Sequence, residues 1–115
     1  MKTSIAETGS GLPLVFVHGY PLDKSLWQHQ ASVLSSNYRI VLVDLPGFGS
    51  AGPITKEAFP TLGAFADDLA ISLESRVSEP FVLIGLSMGG YIALEFWARY
   101  ADRLKGLVLT NTKAT

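Results

Sequence analysis

Four short apolar runs alternate along this chain with longer segments in which apolar residues recur at helical spacing. The runs lie near Leu14 to His18, Arg39 to Asp44, Phe81 to Leu86 and Gly106 to Thr110. Such alternation is typical of parallel strands joined by crossover helices. Because the runs are almost continuous in valine, leucine and isoleucine, both faces of the sheet should be covered. The pattern predicts an α/β fold with three layers, α/β/α, around a mostly parallel sheet.

Three helices are predicted between and after these strands. The first runs from Ser25 to Ser35, the second follows Thr61, which is a suitable N-cap, and the third begins just after Ser87 and continues to about Tyr100. The apolar positions at helical spacing are Trp27, Ala31 and Leu34 in the first helix, Leu62, Phe65, Ala66, Leu69 and Leu73 in the second, and Ile92, Ala93, Phe96 and Tyr100 in the third. The glycine- and proline-rich stretch from Pro46 to Pro53 should be irregular. We predict one domain over residues 1–115.

Composition narrows the classes of function. The net charge is −1, with nine basic and ten acidic residues mixed along the chain, so a nucleic-acid partner is not expected. The absence of cysteine excludes disulfides, thiolate metal sites and a cysteine nucleophile. The N-terminus lacks an apolar signal core and no run approaches the ~18 apolar residues of a membrane span, which predicts a cytoplasmic protein without a membrane partner. His18 and His29 lack the spacing of a metal pair, so we expect neither a metal nor a cofactor.

The strongest chemical signal is the pentad Gly85-Leu86-Ser87-Met88-Gly89, which directly follows an apolar run and precedes a helical pattern. A G-x-S-x-G sequence in that position is typical of a nucleophilic serine on a strained turn from strand to helix, where flanking side chains have no room. The alternative is an ordinary turn serine. A second apolar run ends in His18-Gly19-Tyr20-Pro21. The ends of two predicted strands therefore both carry candidate functional groups.

Taken together, these motifs resemble the α/β-hydrolase superfamily, and in particular its small bacterial esterase and enol-lactonase-like branch. The resemblance covers nearly the whole chain. It rests on the His18 to Pro21 turn after the first parallel strand, on Asp44 to Ser50 after the second, on Gly85 to Gly90 after the third, and on the order of the elements.

The resemblance implies a partial α/β-hydrolase core with a nucleophile elbow at Ser87 and an oxyanion hole made by the backbone N–H groups of Tyr20 and Met88. The N–H of Met88 suits that role independently, because amides in the first turn of a helix have no intrahelical acceptor and the helix dipole favours negative charge there. The residues that would support the elbow and its turn are His18, Gly19, Gly85 and Gly89. The implied substrate is a small acyl ester, lactone or thioester.

The general base of the superfamily has no counterpart in this sequence. No histidine follows Ser87, whereas the superfamily takes its base from a histidine near its C-terminal end. A neutral serine hydroxyl is a poor nucleophile without such a base. We therefore expect the N-terminal half of a serine ester hydrolase, with weak or no activity alone.

The sheet order that the resemblance implies places the strand from Gly106 to Thr110 at an edge, where unpaired backbone groups can pair with another strand. A homodimer, or assembly with a complementary half chain, would cover that edge and the leftover apolar surface. The alternative function is accordingly a non-catalytic, self-associating module.

The remaining titratable candidates have structural interpretations. His18 should support the oxyanion loop rather than act as a base, and His29 should be a surface or half-buried residue of the first helix. Asp44 should satisfy backbone donors in a tight turn. Asp67 and Asp68 are adjacent on a helix and point about 100° apart, which suits solvation better than paired acid–base chemistry.

Four aromatic residues and one amide complete the candidates. Tyr20, Phe48, Tyr91 and Trp97 are candidates for a pocket or an interface, although core packing is the more common fate for Trp97. Asn111 lies where some members of the superfamily place an acid, but an amide cannot stabilise an imidazolium in the same way.

Overall fold

A five-stranded sheet is the centre of the computed structural model, which describes residues 2–112 apart from the side chain of Lys56. The strands are β1 (Ser4–Thr8), β2 (Pro13–Val17), β3 (Arg39–Asp44), β4 (Phe81–Leu86) and β5 (Leu104–Thr110). Their order across the sheet is β1-β3-β2-β4-β5. The pair β1 and β3 is antiparallel, and the other pairs are parallel. The predicted fold class, a mostly parallel α/β sheet, is confirmed.

Three α-helices cover the sheet: α1 (Gln28–Leu34), α2 (Leu62–Glu74) and α3 (Met88–Tyr100). Apolar residues of α2 and α3 pack with Val15, Val41 and Leu83 in the larger core on one face. The smaller core on the other face joins Trp27 and Ala31 to residues of β2, β3 and β4. Both faces of the sheet are therefore covered, as the unbroken apolar strands predict.

The helix α2 begins where its cap residue predicts. The Thr61 hydroxyl accepts a hydrogen bond from the Ala64 N–H at 3.1 Å, which satisfies one of the free donors of the first turn. Phe65 and Leu69 are buried on the face towards the sheet, as their spacing predicts. Leu62 is exposed, because the first residue of this helix lies off the buried face.

The structure differs from the sequence analysis in three further respects. The sequence pattern does not predict the strand β1, because its residues are partly or fully exposed and it packs on the core only through Ile5. The predicted first helix is divided into a 3₁₀-helix over Lys24–Trp27 and the short α1. Trp97 is not in the core: 53% of it is exposed on α3.

One edge of the sheet is formed by β5, which pairs with β4 and with no other strand of residues 2–112. Val108 on this strand is 46% exposed. The position predicted for the last strand is therefore confirmed within that range. None of the helices described here has the length and apolarity needed to cross a membrane.

Candidate active site

Ser87 occupies a strained turn between β4 and α3. Its backbone has φ 55° and ψ −114°, a left-handed conformation that is uncommon for a residue other than glycine. Four hydrogen bonds hold its main chain: its N–H donates to the Thr110 carbonyl at 2.9 Å, and its carbonyl accepts from Gly90 N–H at 2.9 Å, from Tyr91 N–H at 3.2 Å and from the Thr112 hydroxyl at 3.1 Å. Ser87 is exposed, and no group among residues 2–112 hydrogen-bonds its hydroxyl. The main chain is thus fixed while the side chain is open.

The glycines of the pentad are required by close backbone contacts. A Cβ atom at Gly85 would overlap the Gly89 carbonyl and lie 2.7 Å from Gly90 Cα. A Cβ atom at Gly89 would overlap the Val17 carbonyl oxygen and lie 2.5 Å from that of His18. A side chain at Gly89 would separate the start of α3 from the end of β2, and one at Gly85 would separate it from the end of β4.

The turn after β2 lies against the turn that carries Ser87. A Cβ atom at Gly19 would be 3.0 Å from the Leu86 carbonyl oxygen and 3.3 Å from Ser87 Cβ. The Leu22 N–H donates to the Gly19 carbonyl at 2.9 Å, which tightens the turn. Tyr20, the next residue, is 65% exposed and precedes a cis proline. The structure therefore brings the two predicted motifs together.

Tyr20, which follows the residue packed against Ser87, and Met88, which follows Ser87 itself, each have a free backbone donor. Neither N–H has an acceptor within the part of the chain that the structure describes. Met88 is the first residue of α3, where no intrahelical acceptor exists and the helix dipole is positive. These N–H groups can donate hydrogen bonds to an oxygen on which negative charge develops.

His18 is fully buried and both of its ring nitrogens are engaged. Leu45 N–H donates to Nε2 at 3.0 Å, so Nε2 carries no proton. Nδ1 must then hold the proton, and it donates to the Gly19 carbonyl at 2.9 Å. Burial lowers the pKa of His18, which keeps the ring neutral. The ring ties β3 to the turn carrying Tyr20, and neither nitrogen is available to take a proton from Ser87.

Asp44 is buried at the end of β3 and binds both the segment at Lys24 and the loop that follows β3. Its carboxylate accepts from Lys24 N–H at 2.7 Å, from Ser50 N–H at 2.9 Å and from the Ser50 hydroxyl at 2.6 Å, and it forms an ion pair with the Lys24 ammonium. Burial alone would raise the pKa of Asp44, but these hydrogen bonds outweigh it and lower the pKa to about 2. The structural interpretation of Asp44 is supported.

The other titratable candidates lie in separate contacts. His29 is exposed on α1. Asp67 accepts from the Tyr100 hydroxyl at 2.6 Å and from Arg99 at 2.8 Å, and these contacts lower its pKa. Asp68 accepts from the Thr3 hydroxyl at 2.6 Å. The two aspartates therefore join different elements and do not act as a pair.

An aromatic cluster that sequence reasoning only partly found lies beside the turn after β2. The rings of Tyr20, Phe48 and Phe59 form a triangle, with centroids 5.7 Å apart for Tyr20 and Phe48 and 6.3 Å apart for the other two pairs. They line a cleft of about 800 Å³. Phe59 was not a candidate, because an aromatic residue in an irregular segment before a proline has no periodic signal.

Comparisons with known proteins agree with this geometry. A sequence model of the alpha/beta hydrolase fold matches residues 13–115. A pimeloyl-[acyl-carrier protein] methyl ester esterase of Aeromonas hydrophila is 33% identical over 108 residues, which are 94% of this chain and 41% of that protein. The chain thus spans less than half the length of such curated relatives.

Solved structures give the same picture. A thermophilic esterase from Thermogutta terrifontis superimposes with a TM-score of 0.89 and 42% identity, over 97% of this chain and 41% of that one. An N-acyl homoserine lactonase, solved in complex with N-butanoyl homoserine, superimposes with a TM-score of 0.86 and 27% identity, over 96% of this chain and 41% of that one.

Proposed function

This chain belongs to the α/β-hydrolase fold family, and from that membership we propose that it carries the nucleophile and the oxyanion-binding donors of a serine ester hydrolase. Ser87 is the proposed nucleophile, and the N–H groups of Tyr20 and Met88 form the proposed oxyanion hole. The observation that carries the proposal is the left-handed backbone of Ser87 at the end of β4, with its hydroxyl unpaired among the described residues and exposed. His18, Gly19, Gly85 and Gly89 are proposed to hold the turn and the elbow in place.

The proposed reaction is acyl transfer through Ser87. Its Oγ forms a bond to the carbonyl carbon of the ester, and the carbonyl electron pair moves onto the oxygen, where the two N–H groups stabilise it. Collapse of this intermediate breaks the bond to the alcohol, which leaves with the proton of the serine hydroxyl. Water then cleaves the acyl-enzyme. One such donor can contribute ~3 kcal/mol of transition-state stabilisation. The proposed substrates are small acyl esters, lactones or thioesters.

The step that these residues support least is removal of the serine proton. His18 is buried with both nitrogens engaged, and His29, the other histidine of the sequence, is exposed on α1. We propose that the general base and the acid of the triad come from polypeptide other than these 115 residues. The chain alone should acylate slowly and deacylate more slowly still, since both steps require proton transfer.

An activated p-nitrophenyl acetate assay tests this proposal. We expect a slow burst of p-nitrophenol with one acetyl group attached to Ser87, detectable by mass spectrometry, and little turnover after it. The burst rate should rise with pH, because solvent hydroxide then takes the proton. Ser87→Ala should abolish the burst, whereas Ser75→Ala, which removes an exposed hydroxyl at the end of α2, should leave it unchanged. Equal release by the native chain and Ser87→Ala would contradict the proposal.

A second candidate function is self-association, which the exposed edge of β5 favours. We propose that this edge pairs with a second copy, or with a complementary chain, and that Val108 on the strand is covered in the assembly. Sedimentation equilibrium is expected to show a dimer, and Val108→Lys should shift it towards monomer. Ile71→Lys, at a site on α2 that is 69% exposed, is the matched control and should not. A monomeric native chain across the concentration range would contradict the homodimer.

A further inference from the structure

The aromatic triangle of Tyr20, Phe48 and Phe59 is unusual because it leaves large rings open to solvent. Tyr20 is 65% and Phe59 39% exposed, although each ring meets both of the others nearly edge to face. Exposed aromatic residues scattered singly need no explanation, but a contiguous group lining a cleft is typical of a binding site. The cleft of about 800 Å³ has room for a group much larger than acetyl.

Two of the three rings pack on buried aromatic side chains. Phe59 packs on the buried Phe65 with centroids 5.5 Å apart, and Phe48 packs on the buried ring of His18 at 5.2 Å. Ile54 also lines the cleft. Its side chain packs closely on Gly47, since a Cβ atom at Gly47 would be 2.7 Å from Ile54 Cγ1. The cleft is therefore formed before any ligand binds, which reduces the entropy lost on binding.

The cleft neighbours the turn that carries Ser87, because one of its lining residues, Tyr20, directly follows Gly19 in the chain. Gly19 lies against Ser87, and Tyr20 follows it in the chain. Tyr20 thus contributes its ring to the cleft and its N–H to the proposed oxyanion hole. The acyl group stays on the enzyme through acylation and deacylation while the alcohol departs, so a cleft lined by the residue that carries a proposed oxyanion donor can act on both steps.

The rim of the cleft carries a negative charge. Asp23 lines it, and its carboxylate is held in place by the N–H of Ser25 at 2.9 Å and by the Ser25 hydroxyl. An anionic acyl group would be repelled by this carboxylate, whereas an uncharged apolar group would not.

We propose that Tyr20, Phe48 and Phe59 bind an uncharged, apolar acyl group, with arylalkanoyl groups preferred to acetyl. The assignment of this cleft to the acyl group rests on the proposed function of Ser87. An additional aromatic ring can meet the three rings of the cleft edge to face, and a plain methyl group cannot.

The test uses the Ser87→Ala chain, which cannot be acylated, so that binding is measured independently of the proposed reaction. The probes are 3-phenylpropionamide and acetamide, titrated by ¹H–¹⁵N NMR. Saturable shifts of the Tyr20, Phe48 and Phe59 amides by 3-phenylpropionamide, absent with acetamide at the same concentration, are expected. Phe59→Ala, and the more conservative Phe59→Leu if the alanine variant does not fold, should weaken the binding about tenfold. The matched control Ile71→Ala should not.

Equal shifts with both amides, or shifts centred on another surface, would overturn the proposal. A second arm with native Ser87 compares burst rates for p-nitrophenyl 3-phenylpropionate and p-nitrophenyl acetate, and then varies the alcohol at constant acyl group. A preference for the larger acyl group that Phe59→Ala reduces about tenfold supports the cleft. A preference that follows the alcohol instead overturns it. Acetylation of Ser87 without any acyl preference would support the proposed function and would overturn the assignment of the cleft to the acyl group.

Discussion

Replacement of Gly89 by alanine is expected to destabilise the fold by about 3 kcal/mol or more. Two effects oppose each other at this position. Alanine is a better helix former than glycine by about 1 kcal/mol, and Gly89 is the second residue of α3. However, the new Cβ atom would overlap the Val17 carbonyl and lie 2.5 Å from the carbonyl oxygen of His18. These are main-chain atoms at the end of β2, where Val17 pairs with Gly85, so they cannot move away cheaply. Steric overlap should therefore exceed the gain in propensity.

The matched control for this variant is Gly63→Ala. Gly63 is also buried and is also the second residue of its helix, α2, but the atoms that its Cβ would meet belong to the guanidinium of Arg99. The far end of a flexible side chain can shift, so this variant should stay within about 1 kcal/mol of the native chain. Urea unfolding of both variants measures the difference. A Gly89→Ala chain as stable as the Gly63→Ala chain would show that α3 can move off β2 without strain.

Features encoded in local sequence were predictable, and these include most of the sheet. The strands β2, β3, β4 and β5 contain runs of apolar residues, so each can be predicted without knowing which strand it pairs with. The Thr61 cap is likewise a local signal, since its hydroxyl reaches an N–H only three residues away. The strand β1 is different, because it is short, half exposed and defined only by its antiparallel pairing with β3.

Contacts between distant segments explain what the sequence could not predict at the site. The sequence predicts a structural role for Asp44 in its turn, but it does not predict that the carboxylate also binds Lys24, 20 positions away. The tautomer of His18 is set by the N–H of Leu45, 27 positions further on. Phe59 joins the aromatic cluster only because its segment returns to the turn after β2. Trp97 has helical spacing but lies on the open side of α3, which periodicity alone does not reveal.

Replacement of Asp44 by asparagine is expected to cost about 3 kcal/mol of unfolding free energy near neutral pH. The carboxylate serves the N–H and the ammonium of Lys24 and the N–H and the hydroxyl of Ser50. An amide has one oxygen to accept these bonds, and its NH₂ group would face donors. The Asp44→Asn substitution also removes the negative charge that pairs with the Lys24 ammonium. Because Asp44 is buried, water cannot replace the lost contacts.

Lys24→Met is the comparison that separates charge from backbone hydrogen bonding. It removes the ammonium but keeps the Lys24 N–H that donates to Asp44 at 2.7 Å. The loss should be smaller than for Asp44→Asn, because the Lys24 side chain is 28% exposed and the three neutral donors remain. An equal loss in both variants would mean that the ion pair accounts for the whole effect.

The pH dependence of stability provides an independent measurement of the same carboxylate. The lowering of the Asp44 pKa from 3.8 to about 2 corresponds to about 2 kcal/mol of stability. A lowered pKa stabilises the fold when the group is ionised, so this contribution is complete above pH about 4 and is lost as the pH falls through about 2. Urea unfolding at a series of pH values should therefore show a shallower acid slope in Asp44→Asn than in the native chain. Part of the slope should remain, because the Tyr100 hydroxyl and Arg99 also lower the pKa of Asp67. Parallel curves for the two chains would mean that Asp44 titrates alike in the folded and unfolded states, and the network around it would then contribute no pH-dependent stability.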